Sequence, residues 1–304
     1  MFGILYVIAS LVYMELNDAR LRVKDNKIVV GNSDKGLRLR GVNLSWNNWW
    51  HQFYNADTVR HLKNDFHVNV IRAAIGVEQD GGFYQNESGS YNDLYAVIDA
   101  CIANNIYVIV DWQTFSVKHL TNATKFFTQV ANKYHSSPYI IYDLLNEPDD
   151  SNTWSQIKSY AESLIKTIRA IDSSNLIIVG TPNWDQYVKQ AAADPVTGDN
   201  NIIYSIHIYV GTHPMSYMDD AREALKTIGL FGGEIGAMNA DGNGSLDTAK
   251  FNQWIDFYEQ NKISWLCWAV QSKSETDSLL KPSESWTDLT EWGNLCKSTI
   301  TKYQ

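Results

Sequence analysis

The sequence predicts an α/β protein of the (β/α)8 TIM-barrel class with a short N-terminal β-hairpin. Three observations carry that prediction. Eight short runs rich in β-branched residues recur along the chain, helical patterns lie between them, and polar or aromatic residues stand where the runs end. Eight strands alternating with helices is the count of a closed barrel. An open doubly wound sheet is the alternative that shares this alternation. Over 304 residues no Pro/Gly/Ser-rich linker, low-complexity block or short repeat interrupts the pattern, so residues 20–304 read as one domain.

The first element is "FGILYVIASLVYM" at 2–14, an apolar run too short to cross a bilayer. It reads as the core of a signal peptide over residues 1–19, so the protein is expected to be secreted, although no Lys or Arg precedes the run. "RLRVKDNKIVVGN" (20–32) then reads as a hairpin around Asp25-Asn26. Strands are predicted at 37–43, 68–75, 106–112, 139–146, 175–181, 201–209, 229–234 and 263–268. The clearest helix carries Trp154, Ile157, Ala161, Leu164, Ile168 and Ile171 at 3-4 spacing. Other helical patterns cover 56–66, 91–104, 122–134, 216–228, 247–261 and 287–302.

Composition excludes some partners. A net charge of −9 and a pI near 5.2 disfavour nucleic acid and anionic membranes and leave a neutral ligand open. Eleven Trp and seventeen Tyr are enough to build a core and still line a groove. Cys101, Cys267 and Cys296 cannot all pair; buried free thiols are expected, and a Cys267–Cys296 bridge stays open. Sequons at Asn43, Asn86, Asn122 and Asn243 agree with secretion. "DGNGSLDTAKFN" from Asp241 starts like a calcium loop, but Leu246 and Asn252 replace its turn Gly and bidentate Glu, so a surface turn is expected. No His-Glu-x-x-His, phosphate loop, dinucleotide fingerprint or nucleophile elbow occurs, so no metal and no cofactor are expected.

In a barrel the chemistry gathers at the C-terminal strand ends. Those ends carry Asn43, Arg72, Asp111-Trp112-Gln113, Asn146-Glu147, Thr181, His207, Tyr209, Glu234 and Trp268. Glu147 and Glu234 stand out, because two facing carboxyls are what glycoside hydrolysis requires. Glu147 is expected to be the acid/base and Glu234 the nucleophile, with Arg72 and the Tyr209 phenol donating to Glu234. His207 lies two residues before Tyr209 and hence on the same side of its strand.

The motifs "VIRAAIGVEQDGG", "YVIVDW", "IIYDLLNEP", "IRAIDSSNLIIVGTPNWDQ", "YSIHIYVGTH", "DGNGSLD" and "ISWLCWAVQSKSE" resemble, in this order, those of glycoside hydrolase family 5 cellulases, over about residues 37–295. The resemblance implies a cofactor-free retaining endo-β-1,4-glucanase acting on β-glucan oligo- or polysaccharide as a monomer. It also implies that Asn146 touches the sugar 2-hydroxyl and that Arg72, His207 and Tyr209 support the pair. Trp49, Trp184 and Trp268 would contact sugar rings, and Lys273 with Glu275 would bind a glucosyl unit on the non-reducing side. Two departures stand beside it. Relatives usually read Asp-Trp-His where this chain has Asp111-Trp112-Gln113, and many read Thr-Glu-Trp-Gly where it has Gly233-Glu234-Ile235-Gly236. Shifted or weakened activity is therefore expected. The alternatives are another β-glycan (mannan, xyloglucan, mixed-linkage glucan) and a sugar-binding protein whose catalysis has decayed.

Overall fold

Asp25 and Asn26 both take left-handed backbone angles, the conformation of a type I′ turn. That turn joins β1 (Leu21–Lys24) to β2 (Lys27–Val30) in a two-stranded antiparallel ribbon. The computed structural model describes residues 19–32 and 36–304. The apolar run at 2–14 lies outside the described residues.

Eight parallel strands follow and close on themselves: β3 (Arg40–Leu44), β4 (Val70–Gly76), β5 (Tyr107–Gln113), β6 (Ile140–Asp143), β7 (Leu176–Val179), β8 (Ile202–Tyr209), β9 (Leu230–Gly236) and β10 (Ser264–Val270). β10 pairs with both β9 and β3, which decides for the barrel over the open sheet. A helix follows each strand in turn: α1 (Ala56–Asp65), α2 (Glu87–Ala103), α3 (Leu120–Tyr134), α4 (Trp154–Arg169), α5 (Val188–Ala193), α6 (Tyr217–Ala224), α7 (Thr248–Asn261) and α8 (Glu291–Lys302). Polar caps set several starts. Asn86 accepts the Gly89 N–H, so α2 begins earlier than its apolar pattern, and Thr153 with Gln156 forms a capping box on α4. The helix after β7 was not legible as a pattern, because α5 is only six residues long.

The parity of each strand divides its side chains between two cores. On β5, Val108, Val110 and Trp112 pack outward under the helices, while Tyr107 and Ile109 point into the barrel. Val70, Ile141, Leu176, Ile178, Ile203, Phe231 and Leu266 fill the same interior. Leu21 and Ile28 of the hairpin join this cluster and close the barrel's N-terminal end. Toward the other end the inward positions turn polar: Arg72 above Val70, Asp111 above Ile109, Asp143 above Ile141, then Ser205, His207 and Tyr209 above Ile203. The barrel is oil at its base and charge at its mouth. Trp265 and Trp292 are fully buried core residues, and all three cysteines are buried free thiols.

Candidate active site

Arg72 organises the mouth from the end of its apolar strand. Its Nε donates to Asp143 Oδ2 (2.8 Å), its two terminal nitrogens to Asn43 Oδ1 (3.0 Å), Glu234 Oε1 (3.2 Å) and Asn146 Oδ1 (2.7 Å), and Asp111 lies 3.1 Å away. All of these groups are buried. One guanidinium thus faces three carboxyls, more negative charge than it can neutralise. Burial accordingly holds Asp143 up at about 6 despite the guanidinium, and pushes Asp111 well above the ordinary range.

Glu234, on β9, accepts from the Tyr209 phenol at 2.6 Å on its other oxygen. Both of its oxygens are therefore held. Burial still pushes its carboxyl upward, with His207, Arg72 and the Tyr209 hydroxyl opposing and Glu147 assisting. Glu147 leaves the sheet just past β6. Strand hydrogen bonding stops at Asp143 rather than at the predicted Asn146, and Leu144, Asn146 and Glu147 bond their N–H groups to backbone carbonyls of β7 and the end of β5. Burial holds the Glu147 carboxyl at about 7, and His207 Nδ1 lies 2.8 Å from its Oε1. The functional atoms of Glu147, His207 and Glu234 all lie within 4.8 Å of one another. Such a trio has the donor types of a metal site. However, Glu234 is engaged by Arg72 and Tyr209, and a cation there would sit beside the guanidinium.

The pair opens into a cavity of about 650 Å³ bordered by Trp46, Gln113, Trp184, Tyr209 and Trp268. A second cavity of about 450 Å³ continues past Trp46 and Trp268 to Trp49, Lys273 and Glu275. Trp49 is 52 % exposed and lies 5.2 Å from Trp46 ring to ring. Trp184 is half-buried, and Trp268 is 8 % exposed with its edge on both cavities. Lys273 Nζ pairs with Glu275 Oε1 at 2.5 Å. Gln113 points inward from the last position of β5, and its Oε1 has no partner among the described residues. Of the residues singled out from the sequence, Gln113, Glu147, Trp184, Tyr209, Glu234 and Trp268 border the first cavity and Trp49, Lys273 and Glu275 the second, whereas Arg72, Asn146 and His207 are buried beside the two glutamates and Trp112 packs under the helices. Asp241 and Gly242 also border the first cavity, which places the calcium-like stretch in a loop at its rim; Asp247 caps α7.

Sequence reasoning missed Asp143, Asp185, His213 and Asp277. Asp143 carried a signal, its even spacing from the inward Ile141. Asp185 and Asp277 carried none, since only the fold turns them inward. A model of the cellulase family, glycosyl hydrolase family 5, matches residues 30–274. The chain belongs to glycosyl hydrolase family 5. This family 5 chain is 42 % identical to endoglucanase Z of Dickeya dadantii, over 93 % of the chain and 66 % of that protein. It is 36 % identical to an endoglucanase of Clostridium saccharobutylicum, over 92 % of the chain and 65 % of that protein. It thus spans slightly under two thirds of these curated relatives. Among solved structures, one from Cytophaga hutchinsonii is 38 % identical with a TM-score of 0.91, over 96 % of this chain and 97 % of that one. The catalytic domain of Thermobifida fusca endoglucanase Cel5A, in complex with cellotetraose, is 26 % identical with a TM-score of 0.88, over 93 % and 98 %.

Proposed function

We propose that the protein is a secreted, monomeric, cofactor-free endo-β-1,4-glucanase that cleaves β-glucan with retention through a covalent glycosyl-enzyme. The observation that carries this reading is the approach of Glu147 and Glu234 to within 4.8 Å between oxygens, close enough for double displacement and too close for an intervening water. The relatives' endoglucanase names and the cellotetraose complex support the substrate class.

Glu234 attacks the anomeric carbon while Glu147 gives its proton to the departing glycosidic oxygen; the C–O bond breaks and a glycosyl ester forms. Glu147, now a carboxylate, takes a proton from water, whose oxygen displaces Glu234. The donors separate the two roles, since Arg72 and the Tyr209 hydroxyl favour the charged form of Glu234 against the burial that raises it, whereas Glu147 has only a neutral imidazole as its hydrogen-bond partner. Asn146 turns its carbonyl to Arg72 and leaves Nδ2 free to donate to a sugar 2-hydroxyl. Trp49, Trp184 and Trp268 offer flat apolar faces, and the Lys273–Glu275 pair offers a donor and an acceptor.

A second reading, action on another β-glycan, is favoured by Gln113, whose unpartnered Oε1 presents a neutral acceptor to the groove. Reducing-sugar release from carboxymethyl-cellulose, mixed-linkage β-glucan and mannan decides between them. Release from the first, abolished in Glu147→Gln and Glu234→Gln, with β-anomer appearing first by NMR, is the expected result. Faster release from mannan would favour the second reading, and inverted product would remove the covalent step.

A further inference from the structure

We infer that Asp185 is a positioning residue for the acid/base, sharing one proton with Glu147 across the two ring nitrogens of His207. The inference rests on the reading of Glu147 just given and extends it to a residue outside the reacting pair. His207 Nδ1 lies 2.8 Å from Glu147 Oε1, and its Nε2 lies 3.4 Å from Asp185 Oδ2. His207 and Asp185 are fully buried, and neither Nε2 nor Oδ2 has a hydrogen-bond partner among the described residues. An imidazole between two carboxyls has one N–H to give and one lone pair to offer.

The chain goes to some trouble to put Asp185 there. Asn183, Trp184 and Asp185 follow one another with φ of 57°, 53° and 63° in a turn between β7 and α5. Left-handed angles cost non-glycine residues about 1 kcal/mol each, and their neighbours must hold them. Thr181 N–H donates to Asp185 Oδ1 at 2.6 Å, Asp185 N–H bonds back to Thr181, and Trp184 N–H bonds to Pro148. The turn sends Trp184 to the groove and Asp185 into the barrel. Gly233 leaves the space: a Cβ there would lie 2.5 Å from His207 Nε2 and 2.7 Å from Ser205 Oγ.

Burial draws the imidazole down to about 3, so it stays neutral and serves as a two-ended conductor rather than a charge. Asp185 is raised well above the ordinary range by burial, with Asp143 and Glu147 adding to it, so it competes with Glu147 for the same proton. The other ionisable groups facing His207 are Glu234, the Arg72 guanidinium and the adjoining His213. When the proton leaves Glu147 for Nδ1, the Nε2 proton passes to Asp185 Oδ2. One proton has moved, and the ring is neutral before and after. An aspartate that returns it keeps the acid loaded.

Two measurements on the intact protein test this. In ¹⁵N NMR of the unaltered chain, with His207 assigned by loss of its signals in His207→Gln, both ring nitrogens are expected at intermediate, exchange-averaged shifts. In Asp185→Asn the amide N–H donates to Nε2 and cannot give a proton up, so a fixed Nδ1–H tautomer is expected. The basic limb of kcat/KM on soluble β-glucan should then fall by about one pH unit. A substrate whose leaving group needs no acid, such as dinitrophenyl cellobioside, should show unchanged glycosylation. One fixed tautomer in the unaltered chain, or an unshifted limb in a folded Asp185→Asn, would overturn the inference. Loss of β-glucan hydrolysis as a substrate class would overturn the functional reading instead, and the nitrogen shifts would still decide whether Asp185 and Glu147 share the proton.

Discussion

Glu147 shows how a site residue sets stability against chemistry. Its carboxyl is held at about 7 by burial, above the ordinary 4.5 of an exposed glutamate. The sign follows from linkage: at pH 4 the group is protonated folded or unfolded and costs nothing, whereas above 7 the native state must carry a buried charge that the unfolded state hydrates freely. The native state therefore loses about 3 kcal/mol between those limits. Glu147→Gln is expected to raise the unfolding free energy at pH 8 by that order and to leave it unchanged at pH 4, measured by urea titration. The same group predicts that kcat/KM on β-glucan falls above about pH 7, where the acid has lost its proton. Gln113 is the second residue to test. A histidine there could hold a proton beside the pair, so Gln113→His is expected to raise kcat by ~10-fold, with a smaller change in KM. Unchanged or lower kcat from pH 5 to 8 would make Gln113 an adaptation to another glycan. Both residues stood out in the sequence because they close apolar runs, Gln113 as the last residue of β5 and Glu147 four residues past the end of β6. Asp185 was not, because a reversal of three left-handed residues has no periodicity to read.

Among elements, β4 is the one on which the mouth depends. Val70 and Arg72 share its inward face, so a strand that reads as a hydrophobic run delivers one cation to the centre of the barrel. Arg72→Met is expected to destabilise by about 3–5 kcal/mol, since Asp111, Asp143 and Glu234 would lose their counter-ion in a place water does not reach. A variant as stable as the parent would mean that the three carboxyls are already neutral. The aromatic turns are tested by binding. Trp49→Ala and Trp184→Ala should each raise KM on cello-oligosaccharides by roughly 5–10-fold at little change in kcat, the scale of one aromatic contact. Strand number and inward parity were legible because both faces of a parallel strand are buried and the β-branched runs are unmistakable. The ends were less so: β6 stops three residues early, and of those three only the Leu144 N–H, to Ile178 of β7, and the Asn146 N–H, to Trp112 of β5, keep backbone bonds to the neighbouring strands.

For the whole molecule, the barrel has one open end. Leu21 and Ile28 seal the other against Ile109, Leu176 and Phe231. Leu21→Ala or Ile28→Ala is expected to cost about 2–4 kcal/mol of stability and leave kcat at its parent value, because the plug and the carboxyl pair lie at opposite ends of the strands. The plug is stitched to distant chain: Arg20 donates to Ser174 and Asn175, Val23 N–H to Asn201, and the Tyr107 hydroxyl to Ala19. Those partners emerge from the ribosome some 90 to 180 residues after the hairpin does. Synthesis runs from the N-terminus and long-range contacts form late. The first β-structure of this chain is thus made early and docked last, and for most of translation Leu21 and Ile28 travel as an unpartnered greasy tab, available to whatever escorts a nascent chain.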